Sequence, residues 1–163
     1  MPIFGTKVAT MLDAFDHALL NLAQRNDSLT ADEIAAHVAL SPSAIARRLR
    51  RLRSEGWIAR TIALLAPRLI EGRLRALVLV QLNEHADQHG KRALLARLDS
   101  AETVQFVLEV SGSHDLALLI DSTSMDSFVA EAEALLASDP AVRRYETSFV
   151  KKSWKFAPFV RLG

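Results

Sequence analysis

Five arginines, Arg47, Arg48, Arg50, Arg51 and Arg53, fall within seven positions of the stretch "SPSAIARRLRRLRSEGWI" over residues 41–58. Guanidinium groups at that density suit a polyanion, because each can pair with a phosphate or donate two parallel hydrogen bonds to a guanine edge. On a helical wheel, Ile45, Leu49 and Leu52 gather on one side. Arg47, Arg50 and Arg51 point away from them, while Arg48 and Arg53 flank the apolar stripe on opposite sides. In a helix-turn-helix the N-terminal part of the recognition helix enters the major groove. That placement makes Ser41, Ser43, Ala44, Arg47 and Arg48 candidates for the DNA face near the bases. Arg50, Arg51 and Arg53 lie further along and suit phosphates. The alternative is the wet face of an ordinary helix, but such a face is normally laced with glutamates, and Glu55 stands almost alone here.

The net charge of +1 hides a strong asymmetry. Residues 41–75 carry nine arginines against two glutamates, whereas residues 1–40 and 76–163 are each acidic by three charges. A localised field of this kind can attract DNA although the whole chain is nearly neutral.

Other chemistries find little support. The chain has no cysteine, which excludes disulfides and thiolate sites. Its five histidines, at 17, 37, 85, 89 and 114, are scattered; His85 and His89 have a metal-compatible spacing but no third ligand. Neither a nucleophile elbow nor a glycine-rich phosphate loop is present. The expectation is therefore no catalytic residue, no metal and no cofactor. "MPIFGTKVATML" lacks a signal-peptide layout, and apolar runs such as "ALVLV" are too short to span a membrane, so a cytoplasmic protein is expected.

The elements that must carry the arginines follow from periodicity. Leu12, Phe15, Leu19 and Leu22 mark a helix over about Leu12–Gln24. Thr30 and Glu33 form a capping box opening a short helix with Ile34, Ala35 and Val38 inward. Ser41 as N-cap and Pro42 at the first turn open the arginine helix, which Gly56 closes. "WIARTIALLAP" is β-leaning and "PRLIEGR" reads as a linker. Beyond it the pattern predicts strand 74–82, helix 88–98, strands 103–111 and 115–121, helix 124–137 and strand 142–151. Met125, Phe128, Val129, Ala132, Leu135 and Leu136 form the stripe of the second of these helices. The fold class is thus α+β: an N-terminal winged helix-turn-helix domain (1–65), a linker (66–73) and a ferredoxin-like βαββαβ sandwich (74–163). Strands 74–82 and 115–121 are apolar on both faces, yet the helices cover one, so the other face is expected to meet a second subunit. The tail "KKSWKFAPF" is expected to pack Trp154 and Phe156 on the second domain.

These residues carry a resemblance. Leu12, Asp13 and Asp16, then Leu40 and Ser41, then Arg48, Leu52, Gly56 and Ile58 match the pattern of the Lrp/AsnC (feast/famine) transcriptional regulators. "VSGSHDLALLID" and "VRRYETSFVKK" resemble that family's ligand-sensing half. The resemblance implies a homodimer that assembles into tetramers or octamers, binds double-stranded DNA and responds to an amino acid or related small molecule. It places the effector on Ser111, Gly112, Ser113, His114 and Asp115, with Thr147 lining the same pocket. A glycine turn offers amides to a carboxylate, and an aspartate can accept from an ammonium; equally, Gly112 can simply make a hairpin while Asp115 holds its register. Ser113 and His114 stand where an acidic and an aromatic residue are common in the family, which leaves the ligand open. Siroheme decarboxylases share the two-part architecture, and a nucleoid-type protein with little sequence preference would also use clustered arginines.

Overall fold

A computed structural model describes residues 11–83 and 88–163, which form two compact units. The helical unit holds α1 (Ala14–Ala23), α2 (Ala31–Ala35) and α3 (Pro42–Ser54). Each begins at a side chain that satisfies free helix amides. Asp13 caps α1 in a reciprocal box with Asp16, whose N–H donates to Asp13 Oδ1 at 2.8 Å. The expected Thr30–Glu33 box opens α2, and Ser41 Oγ accepts from Ala44 N–H at the start of α3. At the far end Gly56 takes φ +81°, and the N–H groups of Trp57 and Ile58 both turn back onto Leu52 O. Leu19, Leu20, Ile34, Val38, Ile45, Leu49 and Leu52 are all buried and form a single core.

Two expectations fail here. The β-leaning stretch after Trp57 forms no strand: residues 59–66 carry no regular secondary structure and are exposed. Strand propensity is realised only against a partner edge, and the described residues of this unit offer none. The tail also goes elsewhere than 74–163 implies. Residues 155–163 belong to the helical unit, and Trp154 and Phe156 are exposed instead of packed on the second domain. What docks is the last stretch of the tail, where Leu162 joins the margin of the helical core.

The second unit, Leu65–Trp154, contains β1 (Leu74–Leu82), α4 (Gln88–Ser100), β2 (Val104–Glu109), β3 (Leu116–Ser122), α5 (Met125–Ala132) and β4 (Val142–Phe149). The strands form an antiparallel sheet in the order β2-β3-β1-β4, the ferredoxin-like arrangement. Register pairs Val78 with Leu118 on one side and Thr147 on the other. Ala76, Val78, Val80, Leu116, Leu118 and Ile120 meet Leu94 and Leu98 of α4 and Phe128 and Ala132 of α5 in a second core. The predicted helix 124–137 is interrupted: a π-helical turn, Glu133–Ala137, follows α5. Phe128, Ala132 and Leu136 are buried whereas Met125 and Val129 are exposed. A strict four-residue repeat drifts around an α-helix, and the wider π turn brings Leu136 back under the sheet.

The opposite sheet face carries Leu77 and Leu79, Phe106 and Leu108, and Ala117 and Leu119, which neighbour one another by register. Leu108 is 53% exposed and Leu77 37%, with no described element of this unit above them.

Candidate nucleic-acid interface and effector pocket

The arginines of α3 divide into two sets. Arg48 Nη1 lies 2.8 Å from both Asp13 Oδ2 and Asp16 Oδ1, and Arg51 Nη2 lies 2.6 Å from Asp16 Oδ2. On the other flank Arg53 Nη2 is 2.7 Å from Asp27 Oδ1, and the same carboxylate accepts from Thr61 Oγ1 at 2.8 Å. Arg47 and Arg50 are exposed and make no hydrogen bond or ion pair among the described residues. Ser41 and Ser43 are exposed beside each other at the helix start, their hydroxyls 3.2 Å apart, and Ala44 is half-buried next to them.

The absence of nearby glutamates therefore has a different meaning from the one the sequence suggests. Besides Glu55, whose Oε2 lies 4.0 Å from Arg51 Nε, the partners are aspartates brought in by tertiary structure from the start of α1 and the α1–α2 turn. Asp16 is their hub, 1% exposed and never singled out by sequence reasoning except as a motif position. Its signal was present: an acidic segment precedes a basic one in a domain too small to keep them apart. Burial is the largest influence on the Asp16 carboxyl and raises its pKa. Hydrogen bonds from Arg48, the Asp13 N–H and Arg51, with the Arg51 charge, together outweigh it, and the net shift is downward. A fully ionised aspartate thus holds two guanidiniums, and Arg48, Arg51 and Arg53 tie α3 to its own domain.

At the β2–β3 turn of the second unit, Gly112, Ser113 and Asp115 border a solvent-open pocket of about 310 Å³ together with Gln81, Leu82, Asn83 and Arg143. Gly112 has φ +135°, a conformation L side chains rarely adopt, and space is free where a Cβ would stand. Asp115 stitches the site: its N–H donates to Val80 O at 2.9 Å, and its Oδ2 accepts from Leu82 N–H at 2.8 Å. Gln81 Nε2 donates to Ser113 O at 3.2 Å. Of the other expected residues, Ser111 is exposed but does not line the pocket, and His114 turns toward Glu146, its Nε2 3.6 Å from Oε1. Thr147 pairs with Val78, on the helix-covered face and well along β1 from Gln81–Asn83, so it does not reach this pocket. Gln81, Asn83 and Arg143 are the residues sequence reasoning missed; only strand register brings them to the turn.

Comparison with known proteins gives the same division. Residues 12–59 match the winged helix-turn-helix DNA-binding family model, and residues 75–158 match the Lrp/AsnC ligand binding domain. An uncharacterised HTH-type transcriptional regulator of Sinorhizobium fredii is 30% identical over 87% of this chain and 83% of its own length. The leucine-responsive regulatory protein of Salmonella typhimurium is 28% identical, covering 88% of this chain and 87% of that one. Among solved structures, a transcriptional regulator of Neisseria meningitidis in complex with L-Met superposes with a TM-score of 0.80 at 29% identity, covering 94% of this chain and 97% of the other.

Proposed function

The chain belongs to the Lrp/AsnC family of DNA-binding transcriptional regulators, and from that premise we propose that α3 reads operator bases through Ser43, Ala44 and Arg47 and holds phosphates through Arg50. The observation that carries this assignment is the partition of the arginines: Arg47 and Arg50 are left to solvent while Arg48, Arg51 and Arg53 are engaged by aspartates. The protein works as a homodimer closed by the apolar sheet faces around Leu77, Phe106 and Leu108, and the dimers assemble further. Two α3 helices then address half-sites about one DNA turn, roughly 34 Å, apart. It acts in the cytoplasm and catalyses no reaction.

The effector is an amino acid. A backbone turn at Gly112 with the Arg143 guanidinium suits a carboxylate. Asp115 lines the same pocket with one oxygen engaged by Leu82 N–H, and its carboxylate is the acceptor for an ammonium. L-Methionine, bound to the Neisseria relative, is the first compound to test.

Fluorescence anisotropy with the chain's own promoter duplex, a scrambled duplex and added L-methionine tests the reading. Preference for the promoter, altered by an amino acid, is the expected result. Equal affinity for both duplexes would favour a nucleoid-type protein, and turnover of a tetrapyrrole would favour the enzyme of similar architecture.

A further inference from the structure

Asn21 on α1 and Gln24 at its C-cap stand one turn apart, half-buried and exposed respectively, and each uses both ends of its carboxamide on one residue of the segment Phe159–Gly163. Gln24 Oε1 accepts from Val160 N–H at 2.9 Å, and Gln24 Nε2 donates to Val160 O at 3.0 Å. Asn21 Oδ1 accepts from Leu162 N–H at 2.9 Å, and Asn21 Nδ2 donates to Leu162 O at 2.8 Å. Alternate residues of an extended chain are satisfied while Arg161 between them points to solvent, so two side-chain amides imitate the edge of a strand. Leu162 seats against the core that holds Leu19 and Leu52, and the Arg25 guanidinium lies 4.9 Å from the Phe159 ring centre.

We propose that this face of α1 is a built docking site for the segment Phe159–Gly163, and that the docked segment is a second tether on the DNA-binding unit. The chain leaves the helical unit through the 65–73 linker, and β4 returns it through residues 150–158. A reader domain held at both ends samples fewer orientations than one hung from a single linker. The consequence for DNA rests on the dimeric reading above: two tethered readers reach paired half-sites at a higher effective concentration. Arg143, beside the effector pocket, and the docked tail lie on one continuous run from β4, so the tether also gives the sensor a route to the reader.

Hydrogen exchange on the full chain tests the docking directly. The amides of Val160 and Leu162 should exchange at least roughly tenfold more slowly than in an unstructured peptide, and Asn21→Ala with Gln24→Ala should abolish that protection. The same double variant, and a chain lacking residues 159–163, should bind a two-half-site operator roughly three- to thirtyfold more weakly while binding a single half-site unchanged. Unprotected amides in the unaltered chain would refute the clasp. Equal loss on both duplexes, or loss on neither, would refute the tether. If the unaltered chain bound neither duplex, the regulator reading would fail instead, and the exchange measurement would still decide the docking.

Discussion

Asp16→Asn should loosen the DNA-binding unit by about 1.5–3 kcal/mol at neutral pH. The carboxylate receives hydrogen bonds from Arg48 at 2.8 Å, Arg51 at 2.6 Å and the Asp13 N–H at 3.2 Å. Two charge-assisted bonds at roughly 1.5–3 kcal/mol each give a gross loss of about 3–6 kcal/mol. The two arginine side chains are 24% and 33% exposed, so they recover part of it by turning to water, which we discount at about half. A unit of this size has only about 4–10 kcal/mol in total, so the change is large. Trp57, directly after α3 in the same unit, reports urea unfolding once Trp154→Phe removes the other indole. The pH dependence has a definite sign. Because the folded Asp16 carboxyl titrates below its unfolded value of 3.8, its contribution is complete above that value and is lost as pH falls through the lower one. The gap between the unaltered chain and Asp16→Asn should therefore close in strong acid. A gap under about 0.5 kcal/mol, the range of an ordinary surface change, or one unaltered by acid would refute the hub role of Asp16.

Arg47→Ala should cost about 1–3 kcal/mol on the preferred operator and much less on scrambled DNA, measured by competition anisotropy. Arg50→Ala should weaken every sequence alike and lower the slope of log affinity against log salt by about 1. Leu108→Arg, placed on the open sheet face, should shift sedimentation toward monomer while leaving the far-UV spectrum unchanged. Gly112→Ala should destabilise the second unit by about 1 kcal/mol or more in thermal melts, because the strain lies in the backbone and not in a clash.

Local chemistry made much of the fold readable. Thr30 with Glu33, Ser41 with Pro42, and Gly56 each act within a few residues of themselves, so helix ends could be placed without tertiary knowledge. Strand β1 was legible to the residue because its short apolar run, with Val78 and Val80 among its residues, lies between Gly72 and Asn83 and is too short for a buried helix. What stayed hidden depends on partners distant in sequence. Arg48 and Asp16 are separated by 32 residues and Asn21 and Leu162 by 141, and no periodicity announces either pair. Thr147 stands apart from the Gly112 pocket because strand alternation, fixed only by its pairing with Val78, turns it toward the helices. Of the His85–His89 pair, His85 lies outside the described residues.

The division of labour among the arginines follows from angle. At about 100° per residue, Arg47 and Arg50 lie nearly opposite the stripe of Ile45, Leu49 and Leu52, so a helix packed by that stripe must aim them outward. Arg48 sits on the flank facing α1 and Arg53 on the flank facing the α1–α2 turn, where aspartates wait. Arg51 is the informative exception. Its wheel position points mostly outward, yet its long side chain reaches back to Asp16, and its Nε is buried without a hydrogen-bond partner. One carboxylate thus withdraws from the DNA face a charge that geometry alone would have placed there. Asp16→Asn should return it: at temperatures where the variant remains folded, nonspecific binding should gain a steeper salt dependence, by about one phosphate contact. A reader that lacked Asp16 should grip DNA harder and discriminate less, and competition between operator and scrambled duplexes measures both effects.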